Sequence, residues 1–238
     1  MAPFFSIGVT TYDRDEMLYE TLNSIAKQMF KDYEVIVSND NPERKISGQS
    51  MGISDQRFTF INQTNNLGEI SNLNYLLQKS AGRYFTWIND DDLYLPEFLG
   101  SVHQALLKYS FPKCVFTSFD FFEDEKPELN KKVRKDYDEL FDGPSFFYRY
   151  SKGKVKTIST MGFFDRKTIQ AIGGLEDISG DGKGMFCEYM LLIRSITFDK
   201  VAYINKPLVL FRSHKDSWGR TNTGLDMYRK GADNFTRQ

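Results

Sequence analysis

Tyr84-Phe85-Thr86-Trp87-Ile88-Asn89-Asp90-Asp91-Asp92 sets an apolar run directly against three adjacent carboxylates. The run has the length and the aromatic and β-branched content of a buried strand. Its acidic end then marks a strand's carboxyl edge, where open α/β sheets bind their ligands. Pro96 stands four residues beyond Asp92 and opens a helix predicted over 97–109. Adjacent carboxylates repel one another unless a cation sits among them. Hard divalent cations take oxygen ligands, commonly one or two carboxylates together with substrate phosphates. A solvated acidic turn is the plainer alternative, since acidic runs are common on surfaces. The position straight after an apolar strand keeps the metal reading level with it.

The segments upstream repeat the pattern. Phe4 to Thr10 is a short apolar run that suits a buried strand, and Leu18, Leu22, Ile25 and Met29 follow at helical spacing. Asp13 or Asp15 is expected to cap that helix. Tyr33 to Val37 is a second β-branched run, so strand, helix and strand fit the size of one βαβ unit. Ser38-Asn39-Asp40-Asn41-Pro42 is turn chemistry at its end. Phe58 to Ile61 predicts a third strand, Ile70 to Lys79 a helix ended at Ala81-Gly82, and Cys114 to Thr117 a fifth strand. Thr10 to Arg14, Ser38 to Asn41 and Asn89 to Asp92 therefore share one rim of a mostly parallel, helix-flanked α/β sheet.

The second half is less regular. Residues 120–155 are expected to form an excursion rich in loops and aromatics. Lys167 to Ile172 predicts a short helix stopped by Gly173-Gly174, Phe186 to Ile196 an apolar helix, and Val201 to Ile204 a late strand. From Ser213 the chain is polar and mildly basic, a helix or a tail. No internal repeat is visible.

The 238 residues carry 31 Lys and Arg against 32 Asp and Glu, a formal net charge of −1. That balance gives no support to nucleic-acid binding, which shows a basic surplus. Hydrophobic residues make 40% and aromatics 15%, enough for one large α/β core. Cys114 and Cys187 form no CxxC pair, which argues against structural zinc, and two lone thiols suit a reducing compartment. The start lacks a basic segment followed by a long apolar core, and no run is long enough to span a bilayer. A cytoplasmic protein is expected, with peripheral association at the inner face of a membrane left open. There is no GxGxxG after the first strand, no GxxxxGK[ST] and no GxSxG. Nicotinamide-dinucleotide, P-loop and hydrolase readings lose their main signals.

The ordered set of rim segments resembles family-2 glycosyltransferases with the GT-A fold, the spore-coat SpsA type especially. Ile7 to Arg14 and Tyr33 to Asp40 are similar to the opening βαβ of that family. Asn66-Leu67-Gly68, Asn74 and Ala81-Gly82-Arg83-Tyr84 are similar to its next helix, and Trp87 to Pro96 to its DxD region. Ile172-Gly173-Gly174-Leu175-Glu176 resembles its GGFDE segment, Phe186 to Arg194 its ED-containing helix, and Ala202 to His214 its closing strand and RxH element. The likeness covers about residues 4–217.

It implies one GT-A domain over 1–217, with a nucleotide-binding half at 1–110, an acceptor-side half at 111–217 and a tail or helix at 218–238. It implies inverting transfer of a sugar from a nucleotide-diphosphate donor, a UDP-sugar by preference, to a glycan or lipid-linked acceptor. Thr10, Tyr12, Arg14, Asn39, Asp40 and Asp90 fall at nucleotide-binding positions, with Tyr12 placed to stack on the base. Asn39 stands where the family usually has an Asp, so it accepts without a charge. Asp90, Asp91 and His214 fall at metal positions for Mn²⁺ or Mg²⁺, and imidazole use would favour manganese. Asp92 falls at a supporting or acceptor-side position, and Trp218 falls on the acceptor side. Glu188 falls at the catalytic base, usually an Asp, with Asp181 and Glu176 as fallbacks. Arg212, Lys215 and Arg220 are diphosphate candidates or a solvated basic tail. Phe146-Phe147-Tyr148 is either an acceptor-stacking set or core. A homodimer is left open. Two rivals stand beside this reading: a nucleotidyltransferase, and a catalytically inactive sugar-nucleotide or glycan-binding module.

Overall fold

The computed structural model describes residues 2–123, 136–176 and 187–213, with only the backbone described at Cys187 and Glu188. Among the described residues nine strands form one sheet: β1 (Phe5–Thr11), β2 (Tyr33–Asn39), β3 (Phe58–Asn62), β4 (Tyr84–Asn89), β5 (Leu93–Tyr94), β6 (Cys114–Phe122), β7 (Asp138–Phe141), β8 (Gly162–Asp165) and β9 (Val201–Arg212). Their order is β3-β2-β1-β4-β8-β6-β9-β5, with β7 also paired to β9. The helices are α1 (Asp15–Ala26), α2 (Glu69–Lys79), α3 (Phe98–Lys108), α4 (Gly143–Ser151), α5 (Arg166–Ala171) and α6 (Cys187–Arg194).

The two faces of the sheet carry separate cores, because strand side chains alternate. Phe5, Ile7 and Val9 of β1, Val35 and Val37 of β2 and Ile88 of β4 face one way. Against them pack Leu18, Leu22 and Ile25 of α1 and Phe98, Leu99, Val102 and Leu106 of α3. On the opposite face Ile36, Phe85, Trp87 and Phe116 meet Ile70, Leu73, Leu76 and Leu77 of α2, Ile169 of α5 and Leu191 and Leu192 of α6. The result is a three-layer α/β/α domain. Gly82 lets the α2–β4 turn press onto β1: a Cβ there would stand 2.6 Å from the Ser6 backbone nitrogen.

The first four strands, β3-β2-β1-β4, are parallel throughout. Thr10 pairs with both Ser38 and Asn89, so the carboxyl ends of β1, β2 and β4 are level. β8 then inserts antiparallel between β4 and β6, and β9 runs parallel to β6. The bulges around Ser118 let β9 follow β6 as far as Phe122 and Arg212, well beyond the four residues expected at 201–204.

Two expectations need correction. Neither Asp13 nor Asp15 caps α1: the N-cap is Arg14, whose side chain makes no capping bond, and Asp13 adopts a left-handed φ of 62°. The excursion at 120–155 is more regular than its reading as rich in loops, since β6 runs on to Phe122 and β7 and α4 lie within it. Asp142 caps α4 by accepting from the Ser145 backbone N–H, with Pro144 in the first turn. Phe146 of the aromatic set is core, stacked on Phe116 with ring centres 5.0 Å apart, while Tyr148 is exposed.

Candidate active site

The level ends of β1, β2 and β4 bring together the polar residues that lie far apart in sequence. Asp90 is buried just past β4. Its carboxylate accepts from Thr11 Oγ1 at 2.7 Å, from the Tyr12 backbone N–H and from Arg14 Nη1 at 3.3 Å. Burial outweighs these donors and pushes its carboxyl up to about 6. Asp91 accepts from the same Arg14 nitrogen at 3.2 Å. One guanidinium nitrogen thus bridges both carboxylates from the β1–α1 loop. Arg44 braces that loop from outside, pairing with Asp13 at 2.9 Å and with Asp15.

The turn after β2 is organised differently. Asn39 is buried, and its amide donates to the Arg44 carbonyl at 2.6 Å and to Asn62 Oδ1 at 3.0 Å, while its Oδ1 accepts from the Asn41 N–H at 3.1 Å. Asn39 therefore knits the turn. Asp40 accepts from the backbone N–H groups of Leu67 and Gly68 at 2.8 and 2.9 Å, fixing the entry to α2. Burial raises its carboxyl, and those two N–H donors partly offset the rise. Thr10 lies at the end of β1, partly buried, and the Tyr12 ring is 52% exposed at the rim. That exposure leaves its face open for stacking.

Of the supporting and acceptor-side roles open to Asp92, its contacts are those of a support. It is fully buried, its carboxylate accepts from the Arg212 backbone N–H at 2.9 Å, and its carbonyl accepts from Thr21 Oγ1 at 2.8 Å. It joins the β4 end to β9 and α1. Arg212 is likewise no part of a solvated tail. It is buried, donates from Nε to the Asp91 carbonyl at 2.8 Å, pairs with Glu20 and lies over the Phe122 ring.

Glu69 is a rim residue that the sequence reading passed over. It begins α2, where an acid reads simply as a partner of the helix dipole. The residue is exposed, yet the protein around its carboxyl partly desolvates it, and the charges of Asp90 and Asp91 act on it in the same sense. Both effects push its carboxyl up, and Arg14 only partly opposes them. The Gly173-Gly174-Leu175-Glu176 segment is stapled from two sides. Asn74 of α2 donates to the Leu175 carbonyl at 2.8 Å and accepts from its N–H at 2.9 Å. Arg194 of α6 donates to the carbonyls of Ile172 and Gly174 and pairs with Glu176. Glu188 sits near the start of α6, with its side chain outside the description. His214, Trp218, Asp181, Lys215 and Arg220 lie outside the described residues.

Among the described residues no three His, Cys, Asp or Glu side chains converge as a metal cage. Asp90 and Asp91 still suit a hard cation. They supply two carboxylates at the mouth of the rim, and phosphate oxygens commonly complete such a shell. Asp90 and Asp91 share the Arg14 guanidinium, and their charges also act on Glu69, so acidic groups cluster at this edge of the rim.

Comparison with known proteins agrees with this architecture. The model of "Glycosyl transferase family 2" matches residues 6–173. A Campylobacter jejuni GalNAc(5)-diNAcBac-PP-undecaprenol β-1,3-glucosyltransferase is 35% identical over 105 residues, 43% of this chain and 34% of that protein. The glycosyltransferase GlyA of Streptococcus pneumoniae is 25% identical over 227 residues, 92% of this chain and 32% of that protein. The chain thus spans about a third of the length of these two relatives. Among solved structures, S. aureus TarS 1-349 in complex with UDP-GlcNAc superposes with a TM-score of 0.70 at 14% identity, over 97% of this chain and 66% of that one. The Pyrobaculum calidifontis mannosyltransferase PcManGT, in complex with GDP-Man and Mn²⁺, gives 0.63 at 16% identity, over 100% of this chain and 64% of that one. These are GT-A glycosyltransferase folds. On the family match, which covers well over half of its residues, the chain belongs to glycosyl transferase family 2.

Proposed function

We propose that this chain transfers a sugar, with inversion, from a nucleotide-diphosphate donor to a hydroxyl of a glycan or lipid-linked acceptor in one metal-assisted displacement. The observation that carries the reading is the Asp90–Asp91 pair at the level carboxyl ends of three parallel strands. Thr10 and Tyr12 line the base side of that rim, and Tyr12 has an exposed ring to stack on a base. Arg14 supplies a cation within reach of a diphosphate. Asn39 and Asp40 act by shaping the wall of the nucleotide site, since their polar atoms hold the β2 turn and the start of α2.

Asp90 and Asp91 would hold Mn²⁺ or Mg²⁺, with His214 as a further ligand. When bound, such a cation offsets the charge that develops on a departing nucleotide diphosphate. Glu188 would accept the proton of the attacking hydroxyl as its oxygen bonds to the anomeric carbon. Trp218 would stack on the acceptor sugar. The donor nucleotide is proposed as UDP, the nucleotide in the TarS complex, although the PcManGT complex holds GDP-Man. A lipid-linked acceptor, like that named for the C. jejuni relative, would bring the protein to the cytoplasmic face of a membrane through its substrate. Among the described residues no helix is long and apolar enough to cross a bilayer.

The test is a melting-temperature panel of UDP, GDP, dTDP, CDP and their sugars, each with Mn²⁺, Mg²⁺ or EDTA. A ligand at about a hundred times its Kd adds about 2.7 kcal/mol of stability, a readily measured rise. The expected result is a metal-dependent rise with UDP or a UDP-sugar, lost in Asp91→Ala. No rise with any nucleotide would overturn the proposal.

A further inference from the structure

Arg14 makes an unusual pair of contacts. A guanidinium usually meets one carboxylate through two parallel bonds. Here a single nitrogen, Nη1, reaches two different carboxylates, at 3.3 Å from Asp90 Oδ1 and 3.2 Å from Asp91 Oδ2. The guanidinium charge thus stands between the two acids and offsets their repulsion. Both contacts are longer than a strong charge-assisted bond, and the Arg14 side chain is 37% exposed.

The backbone around Arg14 is anchored independently of those contacts. Asp13 and Asp15, its neighbours on either side, both pair with Arg44. The Arg14 carbonyl accepts the Leu18 N–H at 2.9 Å in the first turn of α1. Asp90 keeps the Thr11 hydroxyl and the Tyr12 N–H as donors when Arg14 leaves it. A rotation of the Arg14 side chain alone would therefore withdraw its charge from both carboxylates without disturbing the loop.

Resting on the metal-assisted reading above, we propose that Arg14 is a resident counter-cation of the Asp90–Asp91 pair, which a divalent cation displaces and which then pairs with the donor's diphosphate. One binding event feeds the other. The incoming metal must evict the guanidinium, so metal alone binds weakly. The diphosphate gives the evicted guanidinium a new partner, so metal and nucleotide each raise the other's affinity, reciprocally. The same pair of acids without the Arg14 charge would bind metal alone more tightly and would couple it less to nucleotide.

The test measures Mn²⁺ binding by the electron paramagnetic resonance signal of free Mn²⁺, with and without UDP, in the full chain. Arg14→Gln is expected to bind Mn²⁺ about tenfold more tightly in the absence of nucleotide, a change of about 1.4 kcal/mol. The factor by which Mn²⁺ tightens UDP binding is expected to shrink in that variant. Arg14→Lys, which keeps a charge but not the planar fork, should lie between the two, and it carries the comparison if the Gln variant fails to fold. Unchanged or weaker Mn²⁺ affinity in Arg14→Gln, beside a parent that does bind Mn²⁺, overturns this inference alone. A parent that binds no Mn²⁺ even with saturating UDP overturns it together with the metal-assisted reading.

Discussion

Asp90 combines a buried carboxylate with three donors, and burial wins. The folded protein holds its proton up to about 6, against an ordinary value of 3.8. Between those two pH values the native state binds more protons than the unfolded chain, so stability falls as pH rises. The full displacement corresponds to roughly 3 kcal/mol of stability forgone at neutral pH. Asp90→Asn removes that ionisation. In EDTA, melting curves from pH 4 to 7.5 should show a smaller loss of stability in the variant than in the parent. Asp40 and Glu69 are raised in the same sense and remain, so some slope persists. Equal slopes in both proteins would contradict this account of Asp90. Asp92 behaves as a bracket of the fold. Asp92→Ala leaves the buried Arg212 N–H without its acceptor and is expected to cost about 1–3 kcal/mol in urea titrations.

At the scale of elements, the described stretch after α5, residues 172–176, is held by two clamps. Asn74 presents its amide to Leu175 as a neighbouring strand would, while Arg194 gathers the carbonyls of Ile172 and Gly174. Gly174 has a φ of 79° and lies so close to Asn74 Oδ1 that a Cβ would collide with it. Gly174→Ala is expected to lose more than about 2 kcal/mol, from left-handed strain plus displacement of Asn74. Asn74→Ala should cost about 1–3 kcal/mol by leaving the Leu175 groups unpaired. Urea unfolding of the two variants checks both values. Because α6 carries Glu188, both variants should lower kcat for sugar transfer more than they raise the KM for the donor. A change in donor KM alone would separate this segment from the proposed base.

Over the whole molecule, the two halves are built into one sheet. β8 pairs with β4 on one side and with β6 on the other, so a chain segment from the second half joins strands on either side of it. β9 reaches back to β5, and Arg212 near its end ties to Asp91 and Glu20. The boundary near residue 110 proposed between a nucleotide half and an acceptor half is therefore not expected to be a boundary of unfolding. Calorimetry should show one transition for the described fold, with calorimetric and van't Hoff enthalpies close to each other. Two separated transitions, one abolished by nucleotide, would argue for halves that fold independently.

Local order was legible in the sequence because burial imprints a period on it. The short apolar runs of β1, β2 and β4, the helical spacing of α1 and α2 and the Pro96 that opens α3 locate these elements to within a few residues. The acidic end of β4 and the turn after β2 follow from those strands, and with them the rim. The short strands did not declare themselves. Gly162-Phe163-Phe164-Asp165 is a strand because β4 and β6 leave a slot for it, and Leu93-Tyr94 is one because β9 passes alongside. Polar roles were decided the same way. Asn39, Asp92 and Arg212 look like site residues by type, yet partners distant in the chain commit their polar groups to the fold. A period of two or 3.6 residues is a property of neighbours in sequence, so the chain itself determines it. Which donor faces which carboxylate is a property of neighbours in space, and only the closed sheet decides it.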